Sequence, residues 1–148
     1  MNKIRAIVLV LFFFGFLIRC KKKSTLFIEV PQSHSGIEFV NVIEDTEDLS
    51  ILDYMYYYNG AGVAVGDINN DGLNDLFFTA NKASNMLYIN KGNLQFENIS
   101  ETSGITGKST WNTGVSMVDI NQDGWLDIYV CSVVGIHGFK GHNELYIN

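Results

Sequence analysis

The sequence predicts an all-β fold built from tandem antiparallel sheets, arranged like the blades of a β-propeller. Three observations lead there. The stretch "GDINNDGLND" (Gly66 to Asp75) returns as "VDINQDGWLD" (Val118 to Asp127), with Asp67 and Asp119 52 residues apart, and self-similarity at a fixed period marks a repeat architecture. Each copy is flanked by short runs rich in β-branched and aromatic residues and bounded by glycine, a strand pattern rather than a helical one. The 148 residues are 47% hydrophobic and 13% aromatic, enough apolar material for a folded core.

The elements follow in order along the chain. Residues 1–20 read as an export signal: Lys3 and Arg5 precede the apolar run "AIVLVLFFFGFLI" (Ala6 to Ile18), which is shorter than the roughly 20 residues a membrane-spanning helix needs. Cys20 follows at once in "FLIRC". The arrangement resembles the lipobox of bacterial lipoproteins, which implies lipidation of Cys20 and a place in the bacterial cell envelope. Arg19 stands where that motif has a small residue, so cleavage nearby and an uncleaved signal anchor remain alternatives.

Residues 21–61 form a lead-in. Within it "GIEFVN" (Gly36 to Asn41) looks like "NLQFEN" (Asn93 to Asn98), and is expected to supply the outer strand of a ring-closing blade. The first blade, 62–106, reads as four strands: "GVAVG" (Gly62 to Gly66), "DLFFTA" (Asp75 to Ala80), "MLYIN" (Met86 to Asn90) and "LQFEN" (Leu94 to Asn98), the last with Leu94 and Phe96 on one face. The second blade, 107–148, repeats three of them as "GVSMV", "DIYVCSV" and "ELYIN". Asn90 and Asn148 are 58 residues apart, so an insertion around "GIHGFKGH" lengthens the turn before its third strand. Two blades do not close a ring, since propellers use about four to eight. The chain is therefore expected to be the N-terminal piece of a longer protein.

Charge narrows the partners. Six of the ten basic residues precede Ser24; beyond it four lysines face all sixteen acidic residues. Such a body repels phosphate backbones, which argues against nucleic acid and for cations. The membrane is expected to be touched only through the N-terminal signal or a lipid anchor. With two cysteines, Cys20 and Cys131, and the first removed or lipidated, no internal disulfide forms. Cys131, in "DIYVCSVV", reads as a buried small hydrophobe.

The acidic loops share the pattern D-x-N-x-D-G-x-x-D: Asp67, Asn69, Asp71, Gly72 and Asp75, then Asp119, Asn121, Asp123, Gly124 and Asp127. Side-chain oxygens fall at positions 1, 3, 5 and 9, with glycine at 6 for a sharp turn. Position 7, Leu73 and Trp125, is expected to offer its backbone carbonyl, completing a hard-oxygen set suited to Ca2+. Three carboxylates about 4 Å apart repel by roughly 4 kcal/mol per pair at an effective dielectric near 20, an upper-end figure. Without a cation the loop is expected to splay, so metal binding becomes part of the folding energy. An EF-hand is excluded because position 12 is Phe78 or Val130 rather than glutamate. The plainer reading is a β-turn rich in Asp, Asn and Gly, against which the second copy with the same four oxygen positions counts.

These residues carry a resemblance. "GVAVGDINNDGLNDLFF", "NMLYINKGNLQFENISETSGI" and "WNTGVSMVDINQDGWLDIYV" are similar to the FG-GAP or VCBS repeat propellers, specifically bacterial relatives of cartilage acidic protein that often carry an ASPIC/UnbV domain. The resemblance runs from Leu26 to Asn148. It implies an integrin-like propeller of seven blades, calcium in the loops at the positions named, and export, frequently as a lipoprotein; it implies no single activity.

Other residues are assigned plainer uses. His137 and His142 lie in the inserted turn without an HExxH motif or carboxylate partner, so loop surface is expected. The tyrosines of "LDYMYYYNGAG" (Leu52 to Gly62) are expected to pack under the ring rather than form a platform for sugar. No phosphate-cradling loop, Ser/His/Asp set or GxSxG is present, and no catalytic residue is assigned. Two functions follow: an extracytoplasmic binding, adhesion or scaffold module meeting a protein or glycan, which is favoured, or the N-terminal part of a secreted calcium-dependent polysaccharide-acting enzyme with its catalytic residues elsewhere.

Overall fold

The computed structural model describes residues 25–148; the expected signal segment and Cys20 lie outside the described residues. No helix among the described residues is long and apolar enough to cross a membrane. The elements are α1 (Gln32–Ser35), β1 (Val63–Gly66), β2 (Asp75–Phe78), β3 (Met86–Asn90), β4 (Phe96–Asn98), α2 (Ser100–Ser103), β5 (Asn112–Val118), β6 (Asp127–Ser132) and β7 (Glu144–Tyr146). They form two antiparallel sheets in simple meander order, β1-β2-β3-β4 and β5-β6-β7.

The sheets stack face to face because alternation places one apolar set of each sheet between them. Ala64, Phe77, Leu87 and Ile89 of the first sheet meet Val115, Met117, Ile128 and Val130 of the second, a core held by removal of apolar surface from water. The inner strands come closest. A Cβ on Gly62 would lie 2.8 Å from the Thr113 carbonyl oxygen, so only glycine lets β1 and β5 approach in this way. Thr79, fully buried, bridges the same contact: its hydroxyl accepts the Gly62 N–H at 2.6 Å and donates to the Thr113 carbonyl at 2.6 Å.

A second core lies at the opposite strand ends from the acidic loops. Trp111 precedes β5, whereas Asp119 follows it. There the Trp111 ring stacks on Tyr57 at 5.3 Å and on Phe139 at 4.6 Å, with Tyr54 edge-on at 5.8 Å. Tyr57 thus packs beneath the sheets, while Tyr56 and Tyr58 stay exposed. The inserted turn contributes Phe139 to this cluster, and His137, exposed, leans on Tyr54.

Several expectations need correction. β4 begins at Phe96, not Leu94, because Gly92, Asn93 and Leu94 all take positive φ (84°, 53° and 59°) in a wider turn. Leu94 therefore lies outside the ladder, lining a hollow with Phe96 and Ile37. β5 starts earlier than expected, at Asn112, with a register break before Val115. Cys131 is half-buried, not buried. Separate from these corrections, Ile37 to Asn41, whose ring-closing partners are expected outside the described residues, pairs with no described strand. It crosses the face of the first sheet turned away from the second, where Phe39 stacks on Phe78 at 4.8 Å and the Glu38 N–H reaches the Tyr88 hydroxyl at 3.1 Å.

Candidate functional site

Each acidic loop joins the innermost strand of its sheet to the next, so both open at the same end of the stack. Positive φ is needed twice per loop: at position 4 (Asn70, 57°; Gln122, 64°) and at position 6 (Gly72, 87°; Gly124, 90°). These two left-handed residues turn the backbone so that successive N–H groups point inward.

The carboxylates receive those N–H groups. Asp67 accepts from Asp71 N at 3.0 Å and Gly72 N at 2.7 Å, and Asp71 accepts from Leu73 N at 2.9 Å and from the Asn69 amide at 3.0 Å. Loop two repeats the set: Asp119 accepts from Asp123 N at 3.1 Å and Gly124 N at 2.9 Å, and Asp123 from Trp125 N at 2.9 Å and the Asn121 amide at 2.7 Å. Asn69 and Asn121 in turn accept from Asp71 N and Asp123 N, each at 3.1 Å.

Asp75 and Asp127 differ from the others in burial, both having no exposed surface. The Asp75 carboxylate accepts Ile68 N at 3.0 Å and Asn90 N at 2.7 Å; Asp127 accepts Ile120 N at 3.0 Å and Asn148 N at 2.9 Å. Each thereby ties the end of its first strand and the end of its third to the start of its second. Asn90 and Asn148 also close the loop from outside, their side-chain amides donating to the position-8 carbonyls of Asn74 at 2.9 Å and Leu126 at 3.2 Å. Sequence reasoning did not single out these two asparagines, although the recurring "LYIN" contained the signal.

Position 9 is therefore buried, while positions 1, 3 and 5 keep exposed surface. Among the described residues no three His, Cys, Asp or Glu side chains converge as a ready metal-ligand group. Backbone N–H donors line the loop and hydrogen-bond its carboxylates. The donor set nonetheless fits a hard cation in its chemistry. A carboxylate offers about four lone-pair sites, of which Asp67 and Asp75 each use two here. No aspartate of either loop is ion-paired among the described residues, where Lys91–Glu97, at 2.7 Å, is the salt bridge formed. Lys91 is held protonated more firmly than usual by that bond first, with the charges of Glu97, Asp71 and Asp75 adding to it. The side chains of Leu73 and Trp125 at position 7 are exposed on the loop surface.

The comparisons with known proteins agree with this repeat. Residues 67–130 match the FG-GAP-like repeat family. Cartilage acidic protein 1 of Xenopus tropicalis is 35% identical over 81 residues, 55% of this chain and 12% of that protein. Its Homo sapiens counterpart is 31% identical over 92 residues, 62% and 13% of the two chains. Integrin alpha-8 of Mus musculus is 30% identical over 123 residues, 68% of this chain and 11% of its own length. The chain thus spans little more than a tenth of the relatives it matches.

Proposed function

The chain belongs to the FG-GAP-like repeat family, and from that premise we propose that it is an exported, calcium-binding β-propeller module with a binding, adhesion or scaffold role rather than an enzymatic one. The observation that carries the proposal is the duplication of one hydrogen-bond pattern in both loops, positions 1, 3, 5 and 9 included. In loop one the ion would be held by Asp67, Asn69, Asp71 and Asp75 with the Leu73 carbonyl, and in loop two by Asp119, Asn121, Asp123 and Asp127 with the Trp125 carbonyl.

Bound there, calcium supplies positive charge that offsets the repulsion among the carboxylates and fixes the link between first and second strands. The chain's own residues supply the rest. Backbone N–H groups orient the carboxylates, and the buried Asp75 and Asp127 anchor the loop to its sheet. Stiffened loops at one end of a seven-bladed ring present a rigid surface to a protein or glycan ligand outside the cytoplasm. The names of the relatives, cartilage acidic protein and integrin, support a role outside the cell, and the N-terminal signal or lipid anchor at Cys20 would be the contact with the membrane.

Thermal melts of the full-length chain test the calcium reading. Affinity is expected in the roughly 0.1–1 mM range of extracellular modules, so 10 mM calcium chloride raises the melting temperature over that in chelator by mass action. Identical melts in the two conditions refute it.

A further inference from the structure

The two loops touch each other, and the contacts run between residues next to, or hydrogen-bonded to, those that would hold the ions. Asn70, at position 4 of loop one, donates its side-chain amide to the Gly124 carbonyl of loop two at 3.1 Å. Gly124 in turn donates its N–H to Asp119, while Asn70 lies between Asn69 and Asp71 in the sequence.

A second connection passes beneath. The Asn148 amide donates to the Ile68 carbonyl at 2.6 Å. Ile68 gives its N–H to Asp75, and Asn148 gives its backbone N–H to Asp127. The buried carboxylates of the two loops are thereby joined through Ile68 and Asn148 alone. Asn90, which occupies the corresponding place in the first sheet, makes the N–H bond to its own aspartate and the bond to its own loop. The Ile68 bond is thus the added, between-blade part of the Asn148 arrangement.

We propose that Asn70 and Asn148 couple the loops, so that a divalent cation in one raises the affinity of the other. This rests on the calcium reading of the loops. An ion that fixes Asp67 and Asp75 also fixes Asn70 and Ile68, the groups against which loop two is ordered. The ordering cost is then met once for both sites, and the coupling is positive and reciprocal.

Trp125 makes the test site-specific, because an indole at position 7 of loop two sensitises terbium luminescence there, whereas loop one carries Leu73. Terbium chloride is titrated into the full-length chain, and loss of the signal in Trp125→Phe identifies it as loop two. Asp67→Asn, which cripples loop one, is expected to weaken loop-two binding by about fivefold or more, the lower end of typical couplings. In the background of Asn70→Gly with Asn148→Ala the same substitution leaves loop-two binding unchanged. Asn70→Gly keeps the left-handed backbone, so on its own it retains the fold, confirmed by its melt, and reduces the coupling by about twofold or more. An Asp67→Asn effect that is absent in the wild-type background, or undiminished when the asparagines are replaced, overturns the coupling alone. A chain in which no Trp125-dependent terbium signal arises overturns the coupling together with the calcium reading.

Discussion

Replacing Asp75 by alanine separates its structural role from any role as a ligand. Its carboxylate has no exposed surface and accepts two backbone N–H groups, from Ile68 at 3.0 Å and Asn90 at 2.7 Å. Hydrogen bonds to charged groups contribute about 1.5–3 kcal/mol each. Ile68 is itself buried, so its N–H is left without a partner; Asn90 is half-buried and its N–H gains some water. The loss expected from Asp75→Ala is therefore about 3–4 kcal/mol, below the doubled maximum and a large part of a typical total of about 5–15 kcal/mol. Asp67→Ala is the contrast. Its partners Asp71 N and Gly72 N belong to exposed residues, water replaces the carboxylate, and the cost resembles loss of a helix cap, about 1 kcal/mol. The assay is urea denaturation of the full-length chain in chelator and again in calcium. In chelator Asp75→Ala is expected to lose far more than Asp67→Ala, whereas the gap between chelator and calcium narrows for both. If the two variants lose equally in chelator, the anchoring role assigned to Asp75 is wrong.

Gly62→Ala is expected to lower the melting temperature by about 5 °C or more, since the new Cβ meets three backbone atoms of β5 within 3.1 Å and overpacking costs about 1–3 kcal/mol. Gly66→Ala, whose obstacles are the flexible Leu126 and Met117 side chains, loses less, and an inverted order in differential scanning calorimetry refutes the close-approach argument. For Tyr146 the hydroxyl is held well above its ordinary value of 10.0, by burial first and then by its bond to Glu144 and that group's charge. The folded state thus keeps a proton that the unfolded chain releases, so stability falls as pH climbs above about 10. Tyr146→Phe makes that alkaline decline shallower; equal slopes in urea melts at pH 9 and 11 contradict the assignment.

The parts legible in the sequence were those set by local pattern. β3 occupies the residues expected, Met86–Asn90, because glycine and polar turns bound an uninterrupted run. The loops keep one geometry because glycine at position 6 and oxygen donors at 1, 3, 5 and 9 determine it within ten residues. What was illegible depends on partners distant in the chain or on conformations that residue type does not announce. Leu94 in a left-handed turn is one such case, since a leucine there reads as strand. Phe39 on Phe78 is another, because nothing in the local pattern of Ile37 to Asn41 announces which side chain of the first sheet it meets. The roles of Asn90 and Asn148 were hidden for a third reason: an asparagine ending a strand reads as turn chemistry, and only the fold shows which carboxylate its N–H meets.

The two ends of the stacked sheets are clamped by different forces, and on the calcium reading that difference makes the acidic end the one expected to respond to cations. At the far end Trp111, Tyr57 and Phe139 are buried together, a contact whose strength comes from apolar area and ring packing and does not change with cation concentration. At the acidic end the strands are tied by carboxylates that accept N–H groups and form no ion pair among the described residues. A dipole satisfies a lone pair but leaves the net charge of the loop in place. Any added cation therefore acts on one end of each blade while the aromatic end holds the sheets in register. Because β1 and β5 also meet through Gly62 and Thr79 near that aromatic end, loosening of the loops leaves the innermost contact of the stack closed. On the calcium reading proposed above, a chelated molecule is expected to soften from the loops inward, and for that reason the difference between Asp67→Ala and Asp75→Ala in chelator reads the anchoring of the loop rather than wholesale separation of the blades.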